Sequence, residues 1–407
     1  MPTTSQDPAP SHKLTAFFGI STQIVLITFL GRFAIDISTR MNFPFIPQFS
    51  TGLGLTIVGF SWLLSIRALV GIIGPLFGLL ADRYGRRQIM AGALLCEAVG
   101  VAGVALSWGW WASIPIIIAG LSVAAFVPAQ QAYISDKVPY QRRGRAIAAV
   151  EFAWSSSAII ALPVIGWLID AFGWRTPFLA LAALSLVSSV IIWQQLPPVE
   201  ERHSHVQLNL KRSKELLLNH RVMASIGSAL LLFFAATIFL TIWGVWLNAA
   251  FQLNAGQLGG IATILGLAEL SGAIAAGLFI DRIGKKRGSS LGLLLTAAFL
   301  FLLPLTQTSL WLAVAGLTAL SLCIEFTIVS LLPLYSEQVP EARGTVFSLV
   351  FFGISVGSAI ASPVATTLWE QVGLWADSSL AALILIAVWW LSRQYLHETI
   401  ADQQPSE

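Results

Sequence analysis

Seven ionisable side chains stand out within long apolar stretches of the chain, away from the ends of the last one: Arg32, Asp36, Arg67, Glu97, Glu151, Glu269 and Glu325. A charge surrounded by hydrocarbon is costly, so each asks for a counter-charge, a proton or a polar solute. Arg32 and Asp36 stand four residues apart, on one face of a helix, and Arg40 continues the stripe. That spacing serves an intrahelical ion pair or a pair that meets a solute. Arg67 lies near the middle of its run, and its guanidinium cannot shed its charge. It needs a carboxylate or an anionic ligand; Asp36, Glu151 and Glu269 are candidates, with Asp36 or Glu151 expected across a central cavity. A purely structural buried pair is the alternative.

Glu151 is followed by Trp154 and by three serines, Ser155 to Ser157. A carboxylate away from water beside an aromatic ring can exchange a proton near neutral pH. Glu325, within Cys323-Ile324-Glu325-Phe326-Thr327, shares that possibility. Both also read as polar contacts between helices, and Glu97 reads as a structural one. Gln130, Gln131 and Tyr133, like Thr237, Thr241, Trp243 and Trp246, either line a pathway or pack helices together.

The elements that hold these groups must be membrane helices. The chain has 407 residues, 56% hydrophobic and 11% charged. Soluble domains carry roughly 25% charged residues, and a lipid-facing surface removes that need. Fifteen tryptophans suit an interfacial belt. A net charge of +3 gives no footprint for nucleic acid. Two cysteines, Cys96 and Cys323, set no disulfide framework or metal spacing. His12, His203, His205, His220 and His397 all lie in polar segments. No metal or cofactor is expected, nor an enzyme, because no ligand cluster, nucleophile motif or phosphate-binding glycine loop is found.

Twelve apolar runs reach the ~20 residues that cross a bilayer: 17–38, 57–81, 88–106, 111–134, 146–169, 177–195, 222–250, 257–280, 289–306, 310–335, 345–369 and 376–396. Of 23 basic residues, 19 fall on one side, chiefly at Arg83 to Arg87, Lys137 to Arg145, Arg202 to Arg221 and Arg282 to Arg287. Arg175 alone stands in an opposite loop, with Arg40 at a helix end. Positive charge marks the cytoplasmic side, so both termini are expected there. Met1 to Leu14 reads as a polar cytoplasmic tail and 196–221 as a linker, with a surface helix at Lys211 to Leu218. Bundles of six helices are expected at 1–195 and 222–407.

The two halves repeat each other. Gly78-Leu79-Leu80-Ala81-Asp82-Arg83-Tyr84-Gly85-Arg86-Arg87 recurs as Gly277-Leu278-Phe279-Ile280-Asp281-Arg282-Ile283-Gly284-Lys285-Lys286, displaced by 199. Val138-Pro139 and Val339-Pro340, Arg143-Gly144 and Arg343-Gly344, Pro163 and Pro363, and Gly173 and Gly373 keep offsets of 200 or 201. Six spans separate the copies, so they run parallel, which is one of the transporter designs, with a solute site near the midplane. Arg67 faces Leu267 across the repeat and Glu151 faces Phe351, so neither charge is a scaffold requirement.

The Gly78 to Arg87 segment resembles the signature loop between helices 2 and 3 of the major facilitator superfamily. Its weaker copy, Gly277 to Lys286, lies between helices 8 and 9, where that family places one. The resemblance covers nearly the whole chain and implies an all-α integral membrane protein of two parallel-repeat bundles. In the family the loop latches the halves in one state, which assigns Gly78, Asp82, Arg83, Gly85, Arg86, Asp281, Arg282 and Gly284 to a latch. Otherwise their charges mark a cytoplasmic turn. Family architecture also sets helices 1, 4, 7 and 10 around the cavity, so Arg32, Asp36, Gln130 and Glu325 join the expected solute or proton pathway. Pro128-Ala129-Gln130-Gln131-Ala132-Tyr133 to Arg145, and Gly173-Trp174-Arg175-Thr176-Pro177-Phe178, are similar to drug-efflux antiporters. Two departures bear on direction. Ile116 stands where such antiporters carry an arginine, and Ala158-Ile159-Ile160-Ala161-Leu162-Pro163 replaces their glycine-rich run.

The resemblance implies secondary active transport of a small organic solute, as proton-coupled efflux. Proton-coupled uptake or facilitated diffusion is the alternative, and a non-transporting receptor or assembly protein the different class. A monomer in the inner (plasma) membrane is expected, with solute, protons and lipid as partners.

Overall fold

A computed structural model of the chain describes residues 19–139, 142–198, 218–339 and 342–398. The Met1 to Leu14 tail and the Lys211 to Leu217 part of the linker lie outside them. Among the described residues the structure is helical throughout: α1 Thr22–Arg40, α2 Ile46–Leu53, α3 Ile57–Val70, α4 Gly74–Tyr84, α5 Arg86–Leu106, α6 Ser113–Lys137, α7 Arg143–Ser156, α8 Leu162–Phe172 and α9 Thr176–Gln195 form the first half. The second half holds α10 His220–Phe251, α11 Ala255–Ile283, α12 Lys285–Leu302, α13 Leu310–Ser336, α14 Arg343–Gln371 and α15 Leu374–Tyr395.

Eleven helical runs, one of them α7 and α8 joined through a π turn, are each long and apolar enough to cross a membrane, and the count reaches twelve with one bent pair. The expected second span is the segmented one. α2 turns through 101° into α3, and a 3-10 turn at Gly71–Ile73 leads on to α4. The helix of the first span runs to Arg40, and the chain stays inside the protein as Met41 and Phe45, both almost wholly buried, lead to α2.

Repeated residues take repeated conformations. Gly85 and Gly284 both have φ +90°, and Gly173 and Gly373 have φ +89° and +90°. Only glycine adopts these angles without strain, so the same reversals end α4, α11 and α8 and begin α15. Pro163 and Pro363 differ. Proline has no N–H and clashes with the carbonyl four residues back. Before Pro163 the helix opens into a π turn at Ser157–Ala161, whereas Pro363 sits inside uninterrupted α14.

The halves meet along two reciprocal crossings, α3 with α14 and α8 with α11. Small residues let the backbones approach. A Cβ added at Gly166 meets Ala255 O at 2.3 Å, and one at Gly259 meets Leu162 O at 2.7 Å. Ser65 donates to Ala359 O on the other crossing. These contacts fall in the parts of the helices away from the Arg83 and Arg282 loops. α4 packs on α5 and α6 of its own half, and a Cβ at Gly78 or Gly277 meets nothing within 4 Å. The molecule is closed at the end opposite the basic loops and open towards them.

Candidate functional site

The charges of α1 organise the centre of the molecule. Arg32 Nε donates to both Asp36 oxygens, at 2.9 and 3.0 Å. Its two terminal nitrogens donate to Glu151 of α7, at 2.9 and 2.8 Å. The i,i+4 pair is therefore real, and it has a third member. Gln131 also donates to Glu151, at 3.2 Å. Arg32 and Asp36 are buried, whereas the Glu151 side chain is 38% exposed.

Two turns further on, Arg40 grips Glu269 of α11 with both terminal nitrogens, at 2.7 and 2.9 Å. Fork-to-fork pairing of this kind is the strongest ordinary ion-pair geometry. The pair joins the two halves. The guanidinium also lies 4.5 Å from the centre of the Trp154 ring, a favourable stacking of cation on π face. Arg40 is thus buried, at 7% exposure, and not at the membrane interface where its position after the apolar run suggested. Around it is a narrow, partly open cavity walled by Phe43, Trp154, Phe239, Leu240, Trp243, Leu265, Glu269 and Ser321. Glu325 of α13 is within electrostatic reach of Glu269 and Arg40, and its Cβ lies 3.3 Å from the position a Gly272 side chain would take.

Arg67 does not pair with Asp36 or Glu151, the partners expected of it. It donates to Ser38 O at 2.5 Å, Ser38 Oγ at 2.7 Å and Thr39 Oγ1 at 3.4 Å. The carboxylate acting on it is Glu97, which is fully buried and accepts from Ser122. Its stem packs on Gly120 of α6. The three proposed partners are taken by Arg32 and Arg40, so Arg67 braces α1, α3, α5 and α6 within the first half. Gln130 is 1% exposed and donates to Thr28 O at 2.6 Å, tying α6 to α1. Thr237 and Thr241 face Ser358 and Ser362 of α14, a packing contact.

At the basic loops, Arg86 meets Asp82 at 3.3 Å, Asp136, and the carbonyl of Ala132. All three belong to the first half. Lys285 repeats this with Glu337, at 2.5 Å. Arg87 donates to Leu196 O and Lys286 to Leu396 O, at 3.2 and 2.8 Å. In this state the loops staple each half to itself. Arg83 and Arg282 are exposed, and the side chain of Asp281 lies outside the described residues. Asp136 and Glu337 were missed because they sit at helix ends, where a carboxylate looks like ordinary solvated charge.

Two further carboxylates were missed for the same reason. Asp170, at the end of α8, accepts from Ala255 N and Gly256 N at 3.2 and 2.7 Å. It thus caps the first turn of α11 in the other half, where backbone N–H groups and the helix dipole favour an anion. Asp377, in the first turn of α15, is 1% exposed. Among the described residues no group of three or more metal-ligating side chains is assembled.

A family model described as Major Facilitator Superfamily matches residues 28–247 and 225–405. The chain is 26% identical over 373 residues to an uncharacterized MFS-type transporter of Bacillus subtilis (strain 168), YceJ, covering 83% of this chain and 88% of the relative. It is 28% identical over 312 residues to multidrug resistance protein MdtG of Enterobacter lignolyticus (strain SCF1), covering 69% and 70%. Among solved structures, the inward open conformation of the xylose transporter XylE from E. coli superposes with a TM-score of 0.76 at 16% identity, covering 93% of this chain and 97% of that one. A bacterial homologue of the human lysosomal transporter Spinster, inward-facing and unoccupied, gives 0.75 at 13% identity, with 91% and 97% covered.

Proposed function

The chain belongs to the Major Facilitator Superfamily of solute transporters, and from that premise we propose that it exports apolar or amphipathic organic solutes in exchange for protons. The observation that carries this reading is a charge count. Two central arginines, Arg32 and Arg40, face four carboxylates: Asp36, Glu151, Glu269 and Glu325. Each arginine cluster thus has one carboxylate more than its guanidinium can neutralise. Unpaired charge is costly at membrane depth, so the excess suits protons or a cationic solute, and one can replace the other. The aromatic walls beside Arg40 suit a solute with a large apolar surface. The names of the multidrug relatives agree with this.

Arg40 and Glu269 supply the link between chemistry and motion. Their bond spans the halves on the closed side. A proton on Glu269 removes its charge and half of that grip, so the halves part there and the solute is released. The protonated protein then swings back, and loss of that proton to the open end re-forms the bond, so a proton crosses in the direction opposite to the solute. The proposed setting is the inner membrane with both termini cytoplasmic, which makes the open end the cytoplasmic one. Six-helix halves at 1–195 and 222–407, joined by 196–221, complete the proposal, with Gly78, Asp82, Arg83, Gly85, Arg86, Asp281, Arg282 and Gly284 acting as a latch when the basic ends close.

The test is accumulation of tetraphenylphosphonium in proteoliposomes with an acid interior. Accumulation should collapse when an uncoupler dissipates the gradient and should be lost in Glu269→Gln. Accumulation that ignores the gradient and the uncoupler would contradict proton exchange.

A further inference from the structure

Behind the wall of the central cavity lies a second, smaller one. Phe239 and Trp243 of α10 line both. The second cavity is narrow and is otherwise lined by Ile238, Ile242 and Trp246 of α10, Leu300 of α12 and Leu303 just after it, and Leu374, Asp377 and Ser378 of α15. Asp377 is the one carboxylate in that lining. It is 1% exposed, and neither of its oxygens has a hydrogen-bond partner among the described residues. The indole Nε1 of Trp246, on the same cavity, is buried and likewise without a partner. Buried polar groups are almost always hydrogen-bonded, and exceptions ask for an explanation.

We infer that Asp377 is a proton-binding site of the transport cycle, housed in the second half and separated from the solute cavity by Phe239 and Trp243. Three arguments select a proton as the ligand. The lining offers only the two Asp377 oxygens and Ser378 Oγ as side-chain oxygens, which is too few for an alkali cation that takes about six. An indole donor in the same space repels a cation but welcomes a carboxyl or a water oxygen. An ionised carboxylate without hydrogen bond or counter-charge does not persist in apolar surroundings.

The neighbouring charges leave Asp377 alone. On α10 they are His220 and Arg221, and on α12 Lys285, Lys286 and Arg287, all at the basic end, as is Arg393 of α15 itself. On α14, Glu370 is exposed, and Arg343 lies at the basic terminus. None of them lines the cavity. Across the repeat, Asp377 stands opposite Pro177 at an offset of 200. The fold therefore does not require a carboxylate at this position. Solute that displaces Phe239 or Trp243 opens a route from the central cavity to Asp377, so proton release there follows solute arrival.

The inference rests on the proton-exchange reading for its role in transport, but the site itself is tested separately. Infrared difference spectra of the purified full-length protein, recorded between acid and alkaline pH, should show, apart from the bands of the other carboxyls, a distinct high-frequency band of a protonated carboxyl in apolar surroundings. In wild-type protein labelled with carbon-13 aspartate the band should shift. It should vanish in Asp377→Asn and remain in Glu269→Gln and Glu325→Gln. Trp246→Phe should move its frequency without abolishing it. A band that ignores aspartate labelling, or one retained in folded Asp377→Asn, would overturn the assignment. So would a sodium-dependent rise in melting temperature that needs Asp377. If the band behaves as expected while tetraphenylphosphonium accumulation ignores the pH gradient, the site stands and the coupling reading falls.

Discussion

Arg40 does more at residue scale than any other side chain, because it is held by Trp154 of one half and Glu269 of the other. Removing one member of a buried pair strands the other and costs on the order of 3–5 kcal/mol. Here the molecule has an escape, since parting the halves hydrates Glu269. Arg40→Ala should therefore abolish transport while raising alkylation of a cysteine placed at Gly256, with a smaller loss of melting temperature than a buried charge implies. Unchanged alkylation would show that the pair does not control the closed side. Arg67 makes the opposite case. Its partners are a backbone carbonyl and hydroxyls of α1, and hydrogen bonds from a charged donor are worth about 1.5–3 kcal/mol each. Arg67→Ala should lower the melting temperature sharply, and Arg67→Lys should restore only part of it, because a point charge does not replace a fork. A variant that melts normally yet does not transport would return Arg67 to the pathway. The Arg32–Asp36 pair was legible because i,i+4 spacing is local. The partners of Arg67 were not, since matching it only to carboxylates ignored carbonyls and hydroxyls that no periodicity reveals.

At the scale of elements, the closed side depends on how near α8 comes to α11. The sequence showed the repeat and its glycines, and Gly85, Gly173, Gly284 and Gly373 share one backbone solution across the halves. It did not show the crossing, because Gly166 and Gly259 match no motif and become meaningful only when their contacts with Ala255 and Leu162 are seen. Gly259→Val adds bulk where even a Cβ meets a carbonyl at 2.7 Å. Helices that must separate there should favour the opposite state, so transport should fall while expression stays near normal. Asp170→Asn weakens the same junction more gently, by removing the charge on the first turn of α11. A contribution of about 0.3–1 kcal/mol from charge and dipole predicts a shift of roughly two- to five-fold in the closed-to-open ratio, read as alkylation rate at Gly256→Cys. No change in that rate would reduce Asp170 to a surface contact. The bent entry to the second span through α2 was also hidden, since the buried stretch Met41 to Phe45 passes for a helix end at the interface.

For the whole molecule, the twelve spans and their pairing in two parallel halves were legible from apolar runs and basic loops, because bilayer thickness and loop charge act on composition alone. Which end is open was not, since it depends on the relative placement of the halves and not on either half's sequence. The account's central claim is that the halves rock about the Arg40–Glu269 bond. Two spin-label distances test it most directly, one between Phe172 and Asn254 at the closed end and one between Tyr84 and Arg282 at the basic end, each recorded at high and low pH with tetraphenylphosphonium present. The account predicts reciprocal change on acidification, the first distance lengthening as the second shortens, and both fixed in Glu269→Gln. Distances that lengthen together, or a wild type in which neither responds, would contradict it.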